Sequence, residues 1–178
     1  MFDGIRLRVG LAVARFHFRR YKDGATRFSS VLSRSRRALV ILPERPVNQQ
    51  DLSEIISYLS RRFPSNETVY IIRDELKDTL SAHPSRQVQT YSQEDVTSFF
   101  TPRASLLRKF KSSTFDVAFD LNPEFSLPSA FMCKASNAPV RVSFAKQHAD
   151  RFYNLQVQTH ASAGRQLYTN LLRCLDMF

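Results

Sequence analysis

The sequence predicts an α/β fold: a single Rossmann-like, three-layer domain with a mostly parallel sheet, preceded by a basic helical N-terminal arm. Two observations carry this reading. From Ala38 onward, short apolar runs alternate with segments of helical periodicity, the pattern of βαβ units closing on a parallel sheet. Before Ala38 the composition differs: residues 1–37 hold ten basic and two acidic side chains, a net +8 out of +10 for all 178 residues. The reading therefore divides the chain into an arm, 1–37, and a domain, 38–178, the latter long enough to bury a core of its own.

Each element follows from its local pattern. Ala38-Leu39-Val40-Ile41-Leu42 is a continuous apolar run ending at Pro43, as a strand buried on both faces requires. In Asp51–Phe63, Leu52, Ile55, Ile56 and Leu59 recur at helical spacing, with Asp51 as the expected N-cap and Pro64 as the stop. Thr68–Ile72 is a second strand, and Glu75–Ala82 a short helix. Gln87–Tyr91 alternates like an edge strand. Ser105–Lys111 is helical, Phe115–Leu121 is a strand, and Phe125–Ala135 is helical despite Pro128. Strands at Pro139–Phe144 and Tyr153–Val157 precede a last helix, Ala163–Met177. The strands from Ala38 and Phe115, being the most apolar, are expected at the centre, and the Arg-Ser-rich stretch Ser29–Arg37 as a linker.

The arm interleaves arginines with apolar residues. On a helix, Arg8, Arg15 and Arg19 form one stripe, Ile5, Val9 and Phe16 a second, and Leu7, Leu11 and Phe18 a third. Such a helix can lie on an anionic membrane, dock on an acidic membrane protein complex, or pack on the domain with a solvated basic face. Nucleic acid is disfavoured, because the apolar fraction is too high for a phosphate-binding tail. The docking candidates are Arg6, Arg8, Arg15, Arg19, Arg20, Phe16 and Phe18.

Several chemistries are excluded by what the loops lack. The glycines are Gly4, Gly10, Gly24 and Gly164, and none forms a Gly-rich turn after a strand. A dinucleotide fingerprint and a P-loop are therefore absent, and no cofactor is expected. His17, His83, His148 and His160 are scattered without metal-ligand spacing, so no metal site is expected. Cys133 and Cys174 sit in apolar helical surroundings that suit inert thiols. Ligands of parallel sheets bind beyond the strands' carboxyl ends. Arg45, Asn48 and Gln49 after the first strand, and Asp120 and Asn122 after the Phe115 strand, are thus the ligand-binding candidates, although Asp120 and Asn122 also suit a turn. No residue is assigned a catalytic role. No run of about 20 apolar residues spans a bilayer, and no secretory segment is recognisable. The expected setting is the cytoplasm, peripheral to the inner face of a membrane.

Four pieces within residues 38–158 resemble the N-terminal domain of glycosyltransferase family 9, the ADP-heptose:lipopolysaccharide heptosyltransferases of GT-B fold. Ala38–Leu42 is similar to the family's first strand, and Ile55–Pro64 to its first helix ending in Pro. Phe115–Asn122 resembles the strand written YDLVIDLQG, and Ser129 through Phe144 the helix and strand ending RIGF. The resemblance implies a catalytic Gly-Asp pair after the first strand, where Val47-Asn48 stands here, and Asn48 cannot take up a proton as a carboxylate does. Ser143 stands at the RIGF glycine. The family's nucleotide-sugar-binding second domain has no counterpart in these residues. The expectation is a non-catalytic binding or scaffold subunit derived from a glycosyltransferase half, docked through its arm. The alternative is a heptosyltransferase-like enzyme, or its acceptor-binding subunit, completed by a second chain.

Overall fold

The computed structural model describes residues 2–24, 27–45, 48–64, 67–80, 87–111, 113–159 and 165–177. Six parallel strands form one sheet: β1 (Ala38–Ile41), β2 (Thr68–Arg73), β3 (Gln87–Tyr91), β4 (Val117–Asp120), β5 (Val140–Phe144) and β6 (Leu155–Val157). Their order is β3-β2-β1-β4-β5-β6, so β1 and β4, the strands from the most apolar runs, are central and Gln87–Tyr91 is an edge. Ile41 is in register with Ile71 on one side and Asp120 on the other. The helices are α1 (Phe2–His17), α2 (Phe28–Arg34), α3 (Gln49–Arg62), α4 (Ala104–Lys111), α5 (Leu127–Ala135) and α6 (Arg165–Asp176).

Side-chain alternation along the central strands builds two cores. Val40, Val117, Phe119, Val140 and Val142 meet Leu32 of α2, Ile55 and Leu59 of α3, and Leu171 of α6. Leu39, Ile41 and Ala118 point to the opposite face, where Leu11 and Ala14 of α1 join Leu106 of α4 and Met132 of α5. The period of two along the strands thus divides the helices into two covering layers.

Local chemistry sets the helix ends and departs from the sequence reading at three places. Asn48, not Asp51, caps α3: its Oδ1 accepts a 2.9 Å bond from Gln50 N. The Asp51 side chain is buried one turn further in. Pro128 lies in the first turn of α5, behind the Ser126 cap, where its missing N–H has no helical partner to lose. The segment read as a linker contains α2, held by Leu32 in the core and by the Ser35 hydroxyl on the Val31 carbonyl (2.8 Å). Glu75–Ala82 is replaced by a 3-10 helix, Asp74–Leu80, and Ala82 lies outside the described residues.

α1 does not project from the domain. Gly10 brings it against the turn before α4: a Cβ there would lie 2.0 Å from the Phe99 carbonyl oxygen and 2.6 Å from Leu127 Cδ2. Behind α1, Tyr21 and Asp23 both contact Arg141 of β5. The third stripe of the arm is therefore the buried one. Phe18 belongs to it, half-buried and packing 4.7 Å from Phe131 between ring centroids.

Candidate functional site

The strand order reverses between β1 and β4, and the loops leaving them part to form a crevice at the sheet's carboxyl edge. A cleft of about 680 Å³ occupies that place. Glu44, Arg73, Tyr91 and Asn122 line it from the ends of β1, β2, β3 and β4, while Asp3, Gly4 and Leu7 of α1 close one wall.

Asn122 organises the crevice. Its Oδ1 accepts from Glu44 N at 2.7 Å, joining the two diverging loops. Its Nδ2 donates to Asp120 Oδ1 at 2.7 Å and to Ser129 Oγ at 3.0 Å, and its own N–H reaches Asp120 Oδ1 at 3.0 Å. The Glu44 carboxylate faces the cleft and accepts from the hydroxyls of Tyr91 (2.8 Å) and Ser126. Burial, and then the Glu44 charge, push the Tyr91 phenol far above its ordinary range, so Tyr91 stays a proton donor to Glu44.

Beneath the cleft lies a buried charge pair. Asp120 is fully buried, and Lys146, from the loop after β5, stands 3.1 Å from its Oδ2 and donates to the Asn122 carbonyl at 2.7 Å. The Tyr153 hydroxyl also donates to Asp120 Oδ2. Burial is the largest influence on the Asp120 carboxyl and opposes its charge. The Lys146 ammonium and hydrogen bonds from Tyr153, Ser129 and Asn122 together outweigh it and hold the carboxyl below its usual value. Tyr153 is driven the other way, by burial and by the Asp120 charge. The carboxylate is ionised with its lone pairs engaged, which suits fixing the β4 and β5 ends better than taking up a proton.

The sequence candidates separate accordingly. Asn122 and Arg45 reach the cleft, Arg45 as an exposed partner of Glu124 at 2.9 Å. Asp120 lies below the cleft as the buried anchor. Asn48, exposed, caps α3 and does not line the cleft, and the Gln49 side chain lies outside the described residues. Glu44, Arg73 and Lys146 fall in the segments beyond the strand ends, 43–50, 73–74 and 144–148, where the sequence places ligands, without being named individually, whereas Tyr91, Ser126 and Tyr153 carry no such signal. Burial raises the Cys133 thiol well above its usual value, which keeps it unreactive. Among the described residues no three His, Cys, Asp or Glu side chains come together as metal ligands, and His83 and His160 lie outside them.

The outward face of α1 is a second feature of the surface. Phe2 (79% exposed), Ile5 (59%), Val9, Val13 and Phe16 (65%) run along it as one apolar stripe. Arg8 and Arg15 border this stripe on one flank and Arg6 on the other, as helical spacing dictates, and all three are exposed, as are Arg19 and Arg20 just beyond the helix. Among the described residues no helix is long and apolar enough to cross a membrane.

Comparison with known proteins places the fold. A family model described as "Family of unknown function (DUF6913)" matches residues 22–178. Among solved structures, the chain is similar to the glycosyl transferase family 9 protein from Veillonella parvula DSM 2008, with a TM-score of 0.57 and 16% identity. That similarity covers 80% of this chain and 42% of the other, so the chain spans less than half the length of that neighbour. It shows a shared fold. No curated protein matches the sequence.

Proposed function

The chain belongs to the DUF6913 family, and we propose that it is a non-catalytic binding module, built on a heptosyltransferase-like N-terminal half, that docks on an anionic membrane surface through α1. One observation carries the reading: the exposed stripe Phe2, Ile5, Val9, Val13 and Phe16, flanked by arginines, on a helix whose opposite face is fixed to the domain. A helix lying in a bilayer interface puts its apolar face below the headgroups and its cations at the phosphates. Each arginine near an anionic surface contributes about 1 kcal/mol, and the apolar stripe adds a part that salt does not screen.

The absence of catalysis is supported by the fate of the carboxylates. The position that the family resemblance assigns to the base is Asn48, which is spent on capping α3. Asp120 is spent on Lys146, Tyr153 and Asn122. A second reading, an acceptor-binding subunit completed by another chain, is favoured by the open cleft with Glu44 in its wall.

Flotation of the full chain with vesicles separates the outcomes. Vesicles containing phosphatidylglycerol are expected to carry the protein, with binding reduced but not abolished at 1 M salt. Phe2→Ser/Ile5→Ser/Phe16→Ser is expected to remain in the soluble fraction. Equal flotation of the variant and the parent would overturn the docking role. Sugar transfer from ADP-heptose, lost in Glu44→Gln, would favour the second reading instead.

A further inference from the structure

A second concavity lies along the flank of α1, away from the strand-end cleft. It measures about 480 Å³ and runs between α1, α5 and the 3-10 turn Ala149–Arg151. Its floor is apolar, formed by Leu11, Phe18 and Phe152. Its rim is cationic: Arg15 from α1, Arg19 from the turn that follows it, Lys134 from α5, and Arg151. Among the described residues none of these four has a carboxylate within ion-pair distance. Asp23, whose charge acts on Lys134, is itself bound to Arg141 at 2.5 Å.

Four cations around one concavity repel one another and concentrate positive potential inside it. Lys134 is held there under constraint. Its ammonium donates to the Arg151 carbonyl at 2.5 Å and stands 5.5 Å from the Phe18 ring and 5.3 Å from the Tyr21 ring. Partial burial disfavours its charge, a cost that an entering anion would offset. The complementary occupant carries a phosphate for the rim and an apolar portion for the floor. Position identifies its source. Arg15 lies on the helix surface between the groove residue Leu11 and the exposed stripe, and Arg19, in the turn after α1, sets its guanidinium 4.0 Å from the Phe16 ring of that stripe. With the stripe in a bilayer, the mouth of the groove stands at the depth of the lipid phosphates.

We propose that this groove holds the glycerophosphate of an anionic phospholipid, with Arg15, Arg19, Lys134 and Arg151 around the phosphate and the upper acyl segments on Phe18 and Phe152. The proposal rests on the membrane reading of α1 and converts it from general Coulombic attraction to a stoichiometric lipid site.

The test is titration of the full chain with dihexanoyl phosphatidylglycerol below its micellar concentration, followed by amide NMR. Saturable shifts are expected around Arg15, Phe18, Lys134 and Arg151. Lys134→Gln/Arg151→Gln, which leaves the stripe and the α1 arginines intact, should weaken this binding at least ten-fold with an unchanged urea midpoint. The stripe variant Phe2→Ser/Ile5→Ser/Phe16→Ser should keep the short-chain lipid site while losing vesicles. A chain that floats with vesicles but gives no saturable site, or one indifferent to Lys134 and Arg151, overturns the groove and leaves docking standing. Inorganic phosphate binding as tightly as the short-chain lipid overturns the lipid assignment. A chain that ignores vesicles overturns the docking reading and the groove with it.

Discussion

Arg141 Nη2 binds Asp23 Oδ1 at 2.5 Å, across 118 residues, and this pair fastens the segment behind α1 to β5, one strand in from the sheet's edge. The guanidinium is 1% exposed and also donates to the Phe152 carbonyl, the Ala138 carbonyl (2.8 Å each) and the Tyr21 hydroxyl (3.0 Å). A fork of several donors in one plane is something arginine supplies and lysine does not. Arg141→Lys leaves buried carbonyls unpaired and is expected to cost about 2–3 kcal/mol in urea unfolding. It should also make α1 cleavable by trypsin under native conditions. An unchanged midpoint with a protected α1 would mean that the helix is held by its apolar face alone.

Gly10 makes a separate prediction about the same helix. Alanine in a helix interior normally stabilises by roughly 0.5–1 kcal/mol over glycine. Here the new Cβ meets backbone, the Phe99 carbonyl at 2.0 Å, which cannot rotate away as a side chain would. Gly10→Ala is expected to reverse the usual sign and destabilise by about 1–3 kcal/mol, as overpacking does. A thermal melt at or above that of the parent would contradict the close approach.

The buried pair under the cleft sets an acid limit on stability. The Asp120 carboxyl is held below its unfolded value, so its contribution is complete above about pH 4, the ordinary Asp range. It is lost as pH falls from there through the lower folded value. Asp120→Asn leaves Lys146 buried without its counter-charge and is expected to cost roughly 3–5 kcal/mol at neutral pH. Lys146→Met in the same chain should restore part of that loss. Chemical denaturation across pH 2–7 checks both claims: the gap between parent and Asp120→Asn should narrow on acidification. A gap that is constant with pH would rule out the ion pair as its cause.

The sheet was legible because its signal is local. Continuous apolar runs at Ala38–Leu42 and Phe115–Leu121 marked the two central strands, and the polar alternation of Gln87–Tyr91 marked an edge. α2 was not legible: its serines and arginines match a linker, and only the burial of Leu32 by α3 and the sheet makes it a helix. The crevice was partly legible. Strand ends pointed to Asn122 and Asp120, but Tyr91 meets Glu44 across 47 residues and Lys146 meets Asp120 across 26. Those meetings depend on parallel register, which no single segment encodes. The arm's three stripes were visible in sequence, whereas their assignment to core, rim and exterior required α5 and the Gly10 contact.

The stripe on α1 can be interrogated directly, because the chain contains no tryptophan. Phe16→Trp places a lone indole on the exposed face. On adding anionic vesicles, Phe16→Trp emission should shift to the blue and be quenched by brominated lipids. Emission of the Phe16→Trp protein that keeps its aqueous maximum with saturating anionic vesicles would contradict membrane docking through α1.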